Sequence, residues 1–204
     1  MVLTDERPPH GERREHLLAV AKRVFAVRGF QSTTMDDIAK EAGFTKPILY
    51  QYFESKPDLY REIVTSTAQK MVWKLAHIVA KAETPREKIE VAFGVYFDMV
   101  VSDPDAFRVL FIHSHDGENA GELRKVELML VSFVEPFIDV SISDEHRNQL
   151  AGGIVGMAEG AAVRWLVQQN AKGWPTPPAD EAQRIASRIA TLAWGGLRAV
   201  PRED

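Results

Sequence analysis

The sequence predicts an all-α fold, and two observations lead to that prediction. Apolar residues recur at spacings of three and four along almost the whole chain, whereas the alternation typical of strands is almost absent. Residues that favour helix starts stand ahead of many of these apolar segments. With 204 residues, 45% of them hydrophobic, the chain can bury a sizeable core. We therefore expect one helical domain, or a small helical domain joined to a larger one.

Short helices are predicted at the front of the chain. The first has an apolar face that includes Leu17 and Phe25, and it ends near Arg28 because Gly29 supplies a natural stop. Each of the next three helix starts carries a hydroxyl residue suited to cap the helix. These starts are Thr34 with Asp37 three residues on, Thr45 before Lys46 and Pro47, and Ser55 with Asp58 three residues on.

Longer helices are predicted for the rest of the chain. The most apolar stretch, residues 150–167, carries Glu159 and Arg164 and falls short of the ~20 clean apolar residues of a membrane span. We therefore expect this stretch to belong to a core helix and the protein to have no membrane partner. The predicted helices cover residues 56–82, 85–101, a segment opening at 103–104, then 122–140, 144–171 and 179–200, with a polar loop at 113–121.

Charge is unevenly distributed along the chain. The net charge is −4, but residues 1–56 carry nine basic and eight acidic side chains, against sixteen and twenty-one in the remainder. The front is thus the part electrostatically suited to a polyanion such as DNA, and binding there would depend on a few well-placed groups. The predicted organisation is a flexible tail at 1–11, a small domain at 12–56 and a larger domain at 57–204.

The small domain has the pattern of a helix-turn-helix. A helix beginning at Thr34 buries Ile38 and Ala39, Gly43 permits a tight turn, and a second short helix buries Leu49 and Phe53. The outward positions of the second helix hold apolar and aromatic side chains that have little reason to face only water. Those outward residues are Lys46, Pro47, Ile48, Tyr50, Gln51 and Tyr52.

These residues resemble the TetR-type transcriptional regulators over about residues 13–60. The resemblance is carried by Thr34, Ile38-Ala39, Ala42-Gly43-Phe44, Thr45-Lys46-Pro47, Leu49-Tyr50, Tyr52-Phe53, Lys56 and Leu59. It implies a three-helix DNA-binding head on an all-helical body that binds an effector and dimerises. It also implies base contacts from Lys46, Pro47 and Ile48, and phosphate contacts from Thr34, Thr45, Tyr50, Tyr52 and Lys56.

The chemistry of these side chains suits the implied roles. Hydroxyls at helix N-termini lie beside unpaired backbone N–H groups, which together can hold a phosphate oxygen. Lys46 can donate to guanine O6 or N7, whereas Ile48 offers an apolar surface that a thymine methyl would match. The hypothesis is a G and a nearby T in each half of the DNA site.

The larger domain contains many large apolar side chains. In related proteins such helices enclose an effector pocket, whereas ordinary core packing is the alternative for any one residue. We expect some of them to line a cavity for an apolar or amphipathic molecule, with Arg108, His113 and Glu159 as candidate polar anchors. The candidate lining residues are Trp73, Phe93, Tyr96, Phe97, Phe107, Phe111, Met129, Phe133 and Trp165.

A stripe of small residues suggests close helix packing. Gly152, Gly156 and Gly160 follow one another at a spacing of four, and glycine disfavours a helix by up to about 1 kcal/mol relative to alanine. Repeated use therefore suggests that another backbone comes close, either inside one subunit or across the two-fold axis of a homodimer. The candidate partner is the last helix, through Ile185, Ile189, Leu192 and Gly196. A dimer would present two recognition helices to successive major grooves, so the operator should be a near-palindrome.

Enzyme and adaptor functions are the alternatives. The chain has no Gly-x-Ser-x-Gly, phosphate-loop or His-Glu-x-x-His motif, and we expect neither catalysis nor a cofactor. The best metal-site candidate is the loop pair His113 and His115; a helical adaptor that binds another protein is the second alternative. Without cysteine or an apolar leader, the chain is expected in the cytoplasm. The resemblance implies a ligand-responsive regulator there, and we expect a repressor.

Overall fold

The computed structural model describes residues 10–112, 120–171 and 178–203, and within these ranges every regular element is helical. The predicted all-α class is confirmed. The elements are α1 (His10–Arg28), α2 (Met35–Glu41), α3 (Lys46–Tyr50), α4 (Lys56–Val79), α5 (Pro85–Ser102), α6 (Pro104–Phe107) with a π-helical turn (Arg108–Ile112), α7 (Ala120–Val134) with a 3-10 turn (Glu135–Phe137), α8 (Asp144–Ala171) and α9 (Ala179–Arg198).

Helices α1 to α3 form a compact head. Gly29 and Gly43 adopt positive φ values of 75° and 74°, which end α1 and turn the chain from α2 into α3. Thr34 forms the predicted capping box with Asp37, and the Ser55 hydroxyl accepts from Asp58 N at 3.2 Å. The caps and glycines thus fix where the short helices begin and how they cross.

Three aromatic rings join the head to the start of α4. Phe25, Phe30 and Tyr60 are buried, and their ring centroids lie 5.0–6.0 Å apart. The Tyr60 hydroxyl donates to the carbonyl oxygen of Val109 in the π-helical turn at 3.0 Å. One buried cluster therefore contacts the head, α4 and the centre of the body.

The body is assembled around α5. Helix α9 packs against α5 through an alanine face, so the two helix backbones come close together. Helices α4, α7 and α8 complete the body and bury Leu75, Val126 and Ile154 among their contacts. The alanines that form the buried face of α9 are Ala182, Ala186, Ala190 and Ala193.

Several predicted boundaries differ from the structure, and α4 ends at Val79 rather than at 82. Helix α1 begins at His10, inside the predicted flexible tail. Helix α7 begins at Ala120 and ends at Val134 rather than running from 122 to 140. Pro136 explains its end, because proline has no backbone N–H and its ring clashes with the preceding turn.

Helix α8 is more apolar than expected from its charges. By length and composition this helix could cross a membrane, contrary to the expectation from the sequence. Core helices of soluble proteins meet the same criterion. Ala151, Ala162 and Leu166 are buried against the rest of the body, and we assign α8 to the body on that packing.

Candidate nucleic-acid interface and internal cavity

Helix α3 is anchored by its inner face and open on its outer face. Leu49 has 0% of its surface exposed, and Phe53 just beyond the helix is also buried. On the opposite side Lys46 and Pro47 are exposed, Tyr50 is 46% exposed and Ile48 is half-buried. The side chains that the resemblance assigns to base contacts therefore lie together on one accessible face, although the helix has only five residues.

Of the two threonines at the starts of α2 and α3, only Thr45 has a hydroxyl donor that the capping of its helix leaves unused. Thr45 occupies the N-cap of α3, and its side chain makes no capping hydrogen bond, which leaves it available to an outside acceptor. The Thr34 hydroxyl instead donates to Asp37 Oδ2 at 2.6 Å and accepts from Asp37 N at 3.1 Å. A phosphate contact from Thr34 would thus compete with the carboxylate of its own capping box.

The electrostatics of this end of the head are partly set by Asp37. Hydrogen bonds from the side chain and backbone of Thr34 lower the pKa of Asp37, and Arg28 adds a favourable charge. Arg28 pairs with Asp37 at 3.3 Å, and Arg23 pairs with Glu41 at 3.0 Å. Lys46 has no acidic partner within the described ranges, so its charge on α3 remains available to DNA.

Lys56 is turned toward the head itself. Its ammonium group donates to the carbonyl oxygens of Phe30 and Thr33, both at 2.9 Å, and lies 4.2 Å from the centroid of the Phe30 ring. An ammonium has three N–H donors, so two of them are already used inside the protein. The resemblance implies a phosphate contact here, whereas the observed contacts give Lys56 a role in joining α4 to the head.

Tyr52 is less accessible than Tyr50. It is half-buried and packs against the head core, with its ring centroid 6.5 Å from that of Phe53. Only part of its side chain can therefore reach a phosphate, and Tyr50 is the more exposed phenol of the pair.

An apolar cavity lies inside the body between α4, α5, α7 and α8. Its volume is about 50 Å³, and a second cavity of about 30 Å³ shares walls with it at Phe93 and Ile154. Of the nine predicted lining residues, Phe93, Tyr96 and Phe133 line the larger cavity. The sequence analysis missed its remaining walls, which are Leu75, Ala92, Leu130, Val134, Ile154, Val155 and Ala158.

Tyr96 is the one described lining residue whose side chain carries a polar atom. Burial raises the pKa of the Tyr96 phenol, and the nearby Glu159 carboxylate raises it further. The phenol is therefore neutral at ordinary pH and can donate a hydrogen bond. Glu159, a predicted polar anchor, is not among the described residues that line the cavity, and its observed effect is on the pKa of Tyr96.

Several predicted lining residues belong to the packed core instead. Phe97 packs against Trp165 with centroids 6.2 Å apart, and Phe107 packs against Phe111 at 5.4 Å. Met129 is half-buried on α7 and does not line the cavity. Their burial is explained by contacts between helices, which is the alternative raised for aromatic side chains at helical spacing.

Trp73 was wrongly predicted to line an internal cavity. Its side chain is 70% exposed on the outer face of α4 and stacks on His77, with centroids 5.5 Å apart. The periodicity of α4 places Met71 and Leu75, not Trp73, toward the core.

Two buried polar atoms lie on α8, one on Trp165 and one on Gln169. Among the described residues, the Trp165 indole N–H and Gln169 Oε1 make no hydrogen bond, and they lie one helical turn apart on α8. A buried donor and acceptor of this kind suit a water molecule or a polar ligand group. Arg108, a further predicted anchor, is instead engaged by Asp105 at 2.9 Å and Asn170 at 3.1 Å.

The small-residue stripe faces open space in the single subunit. A Cβ atom placed on Gly152, Gly156, Gly160 or Gly196 would meet no atom of another described part of the chain within 4 Å. The alternative of backbone packing inside one subunit is therefore wrong for these positions. Leu192 is 62% exposed on α9, and Ile185 and Ile189 are half-buried there, so α9 also carries an apolar strip that is partly open.

The predicted histidine site falls outside the described residues, at His113 and His115. Within the three described ranges, no group of three histidine, aspartate or glutamate side chains is placed to hold a metal ion.

Comparison with known proteins finds transcriptional regulators that are similar to this chain in sequence and in fold. Residues 17–63 match the family model for bacterial regulatory proteins of the tetR family. The chain is 31% identical over 191 residues to the uncharacterized HTH-type transcriptional regulator YdgC of Bacillus subtilis, covering 91% of this chain and 93% of that protein. It is 28% identical over 199 residues to the HTH-type transcriptional activator FasR of Mycolicibacterium smegmatis, covering 96% and 87%. The fold matches the crystal structure of the regulator FadR of Bacillus subtilis in complex with stearoyl-CoA, with a TM-score of 0.76, 14% identity and coverage of 89% and 98%.

Proposed function

Because the chain belongs to the TetR family of transcriptional regulators, we propose that it binds a near-palindromic operator as a homodimer and is released by an apolar or amphipathic effector. The open face of α3 is the observation that carries the DNA-binding part of this proposal. A lysine, a proline and a phenol lie exposed there on a helix held by two buried anchors. A helix that only faces water would carry mainly polar side chains at these positions, not this combination.

The proposed contacts divide into reading and positioning groups. Lys46 donates to a guanine edge and Ile48 meets a thymine methyl, while Thr45 and Tyr50 donate to phosphates. Lys46 and Thr45 have donors that no described residue occupies, which supports their assignment. Lys56 is left out of this set because its amine is bonded to the head.

The proposed dimer forms through the outer faces of α8 and α9. The glycine stripe of α8 and the apolar strip of α9 lie next to open space, and two copies of the pair would form a four-helix interface. Each copy would bury Leu192 and allow the α8 backbone of the other to approach closely. Two-fold symmetry then sets two α3 helices about 34 Å apart for successive major grooves.

The proposed effector occupies the internal cavity. Its walls are apolar, and Tyr96 is the one described lining residue that carries a hydroxyl, which suits a hydrocarbon chain with at most one hydrogen-bonding group. At about 50 Å³ the cavity holds only a few carbon atoms, so a longer ligand would displace side chains as it enters. The stearoyl-CoA bound by the similarly folded FadR makes acyl chains and their thioesters the first compounds to test.

A continuous set of contacts connects this cavity with the head. Tyr96 meets Phe107 edge-to-face at 5.0 Å, and Phe107 precedes the π-helical turn whose Val109 carbonyl accepts the Tyr60 hydroxyl. Tyr60 in turn packs on Phe25 of α1. We propose that an effector moves α6 and the π-helical turn, and so favours a different spacing of the two heads.

We propose that the protein represses transcription when it is bound to its operator. An effector that binds only the free dimer would lower operator affinity by differential binding to the two states. The relative FasR is named an activator, so activation is the second candidate. A promoter fusion carrying the selected operator separates them, because deletion of the regulator raises expression in the first case and lowers it in the second.

The DNA-binding proposal is tested by selection from a random duplex pool with the purified protein. The expected product is a near-palindrome with a G and a nearby T in each half. Addition of stearoyl-CoA or stearate should then weaken binding to that operator. Failure to enrich any duplex at low salt would contradict the DNA-binding proposal, and unaltered affinity with every acyl compound would contradict the effector class alone.

A further inference from the structure

A cleft separate from the internal cavity lies where the head meets the body. It is walled by α1, α4, α5 and α6 and has a volume of about 220 Å³. Its floor is formed by the buried side chains of Met71, Phe107 and Leu110. The cleft thus has a water-excluding base and an open side, at a junction that has to move if the heads change their spacing.

The rim of this cleft carries an excess of positive charge. Lys22 comes from α1, and Lys70 and Lys74 come from α4, while Asp103 is the one acidic side chain among the described lining residues. Lys22 forms an ion pair with that carboxylate. Within the described ranges neither Lys70 nor Lys74 has an acidic partner within 4 Å, so two positive charges remain uncompensated.

These two lysines repel one another. They are four residues apart on α4, where side chains of like charge face each other and destabilise the helix. Lys74 is half-buried above the apolar floor, and a charge in such surroundings is screened less than one in open water. A bound anion would relieve both effects.

We infer that this cleft is a binding site for a small organic phosphate. Lysine binds phosphate as a point charge, and three amines with one carboxylate suit a ligand that carries two negative charges. The half-buried Thr67 adds a hydroxyl to the rim, and Met99 adds an apolar surface for the organic part of the ligand. The volume is below the 300–1,000 Å³ typical of drug-sized ligands, which limits the ligand to a phosphate with a small substituent.

The site bridges two parts of the protein. A phosphate between Lys22 and the α4 lysines would tie α1 of the head to the body through an interaction that does not involve the internal cavity. This inference is independent of the proposed effector. It needs only that head and body are packed as the structure has them.

The test is calorimetric titration of the full-length protein with pyrophosphate, with inorganic phosphate and citrate in parallel. We expect saturable binding of pyrophosphate at one site per chain, weakened at least tenfold by the double substitution Lys70→Gln with Lys74→Gln. The matched control is Lys81→Gln, an exposed lysine beyond the end of the same helix and outside the cleft, and it should bind as the parent does.

A second control separates this site from the DNA-binding face. Lys46→Gln should leave pyrophosphate binding unchanged, because α3 lies outside the cleft walls. Loss of binding in Lys46→Gln but not in the double variant would overturn the inference, as would absence of saturable binding in the parent protein. Citrate binding as tight as pyrophosphate would overturn the assignment to phosphate and point to a general anion site.

Discussion

Lys56 allows a direct test of how the head is held together. Its ammonium donates to two backbone carbonyls at 2.9 Å and lies over the Phe30 ring. Hydrogen bonds to charged groups contribute about 1.5–3 kcal/mol each when buried, and partial exposure reduces that sum. We therefore expect Lys56→Met, which keeps the length of the side chain, to lower the free energy of unfolding by about 2–4 kcal/mol.

The expected thermal shift follows from the size of the chain. For proteins of about 150–250 residues, 1 kcal/mol lowers Tm by roughly 2–4 °C, so Lys56→Met should melt roughly 5–15 °C below the parent in a calorimetric scan. Lys81→Met is the control, since Lys81 is exposed and surface substitutions usually change stability by less than about 0.5 kcal/mol.

The same variant distinguishes an internal role from a phosphate contact. A lysine that binds a phosphate adds about 0.9 to the slope of log affinity against log salt concentration. Because the amine of Lys56 is bonded inside the head, Lys56→Met should leave that slope unchanged at temperatures where the variant is folded. An unshifted Tm together with a reduced slope would refute this reasoning and assign Lys56 to DNA.

Three further predictions follow from the cap, the cavity and the proposed interface. Asp37 has a lowered pKa in the folded head, so its stabilising effect is present above the unfolded pKa and is lost as pH falls through the folded one. Asp37→Asn should therefore melt below the parent at pH 7, and the gap in Tm should close as acid protonates the parent's carboxylate, whereas a gap that does not change with pH would contradict the assignment. Ala158→Leu should fill the internal cavity and abolish the effect of stearoyl-CoA on operator binding while affinity without ligand stays the same; a retained response would place the effector elsewhere. Leu192→Glu should shift the protein toward monomer in analytical ultracentrifugation and weaken operator binding, whereas Leu128→Glu, at a comparably exposed leucine, should do neither.

Local signals made much of the fold predictable. Capping residues and glycines mark helix ends through contacts within a few residues, which is why α8 was predicted with its observed bounds and the capping box at Thr34 was found. The apolar pattern continues beyond Pro136 and so predicts a longer α7, whereas the missing N–H of that proline ends the helix. The π-helical turn has no clear local signal, since Arg108–Ile112 is an ordinary apolar segment in sequence.

The functional surfaces were predictable only in part. The outward residues of α3 follow from helical spacing once Leu49 and Phe53 are assigned to the core. The cavity was harder, because it exists where small residues such as Ala92 and Ala158 leave space between helices that are distant in sequence. A list of large aromatic residues therefore found three of its walls and included Trp73, which faces outward. The role of Lys56 depends on carbonyl groups more than twenty residues away.

The central claim is that the open face of α3 binds DNA. The operator affinity of one double variant tests it most directly. Lys46→Ala with Tyr50→Phe removes one charged donor and one hydroxyl from that face, which together are worth about 2–4 kcal/mol. Measured by fluorescence anisotropy on the selected operator, the variant should bind at least about 30-fold more weakly with an unchanged Tm, while Lys81→Ala binds as the parent does. Operator affinity equal to that of the parent would contradict the account.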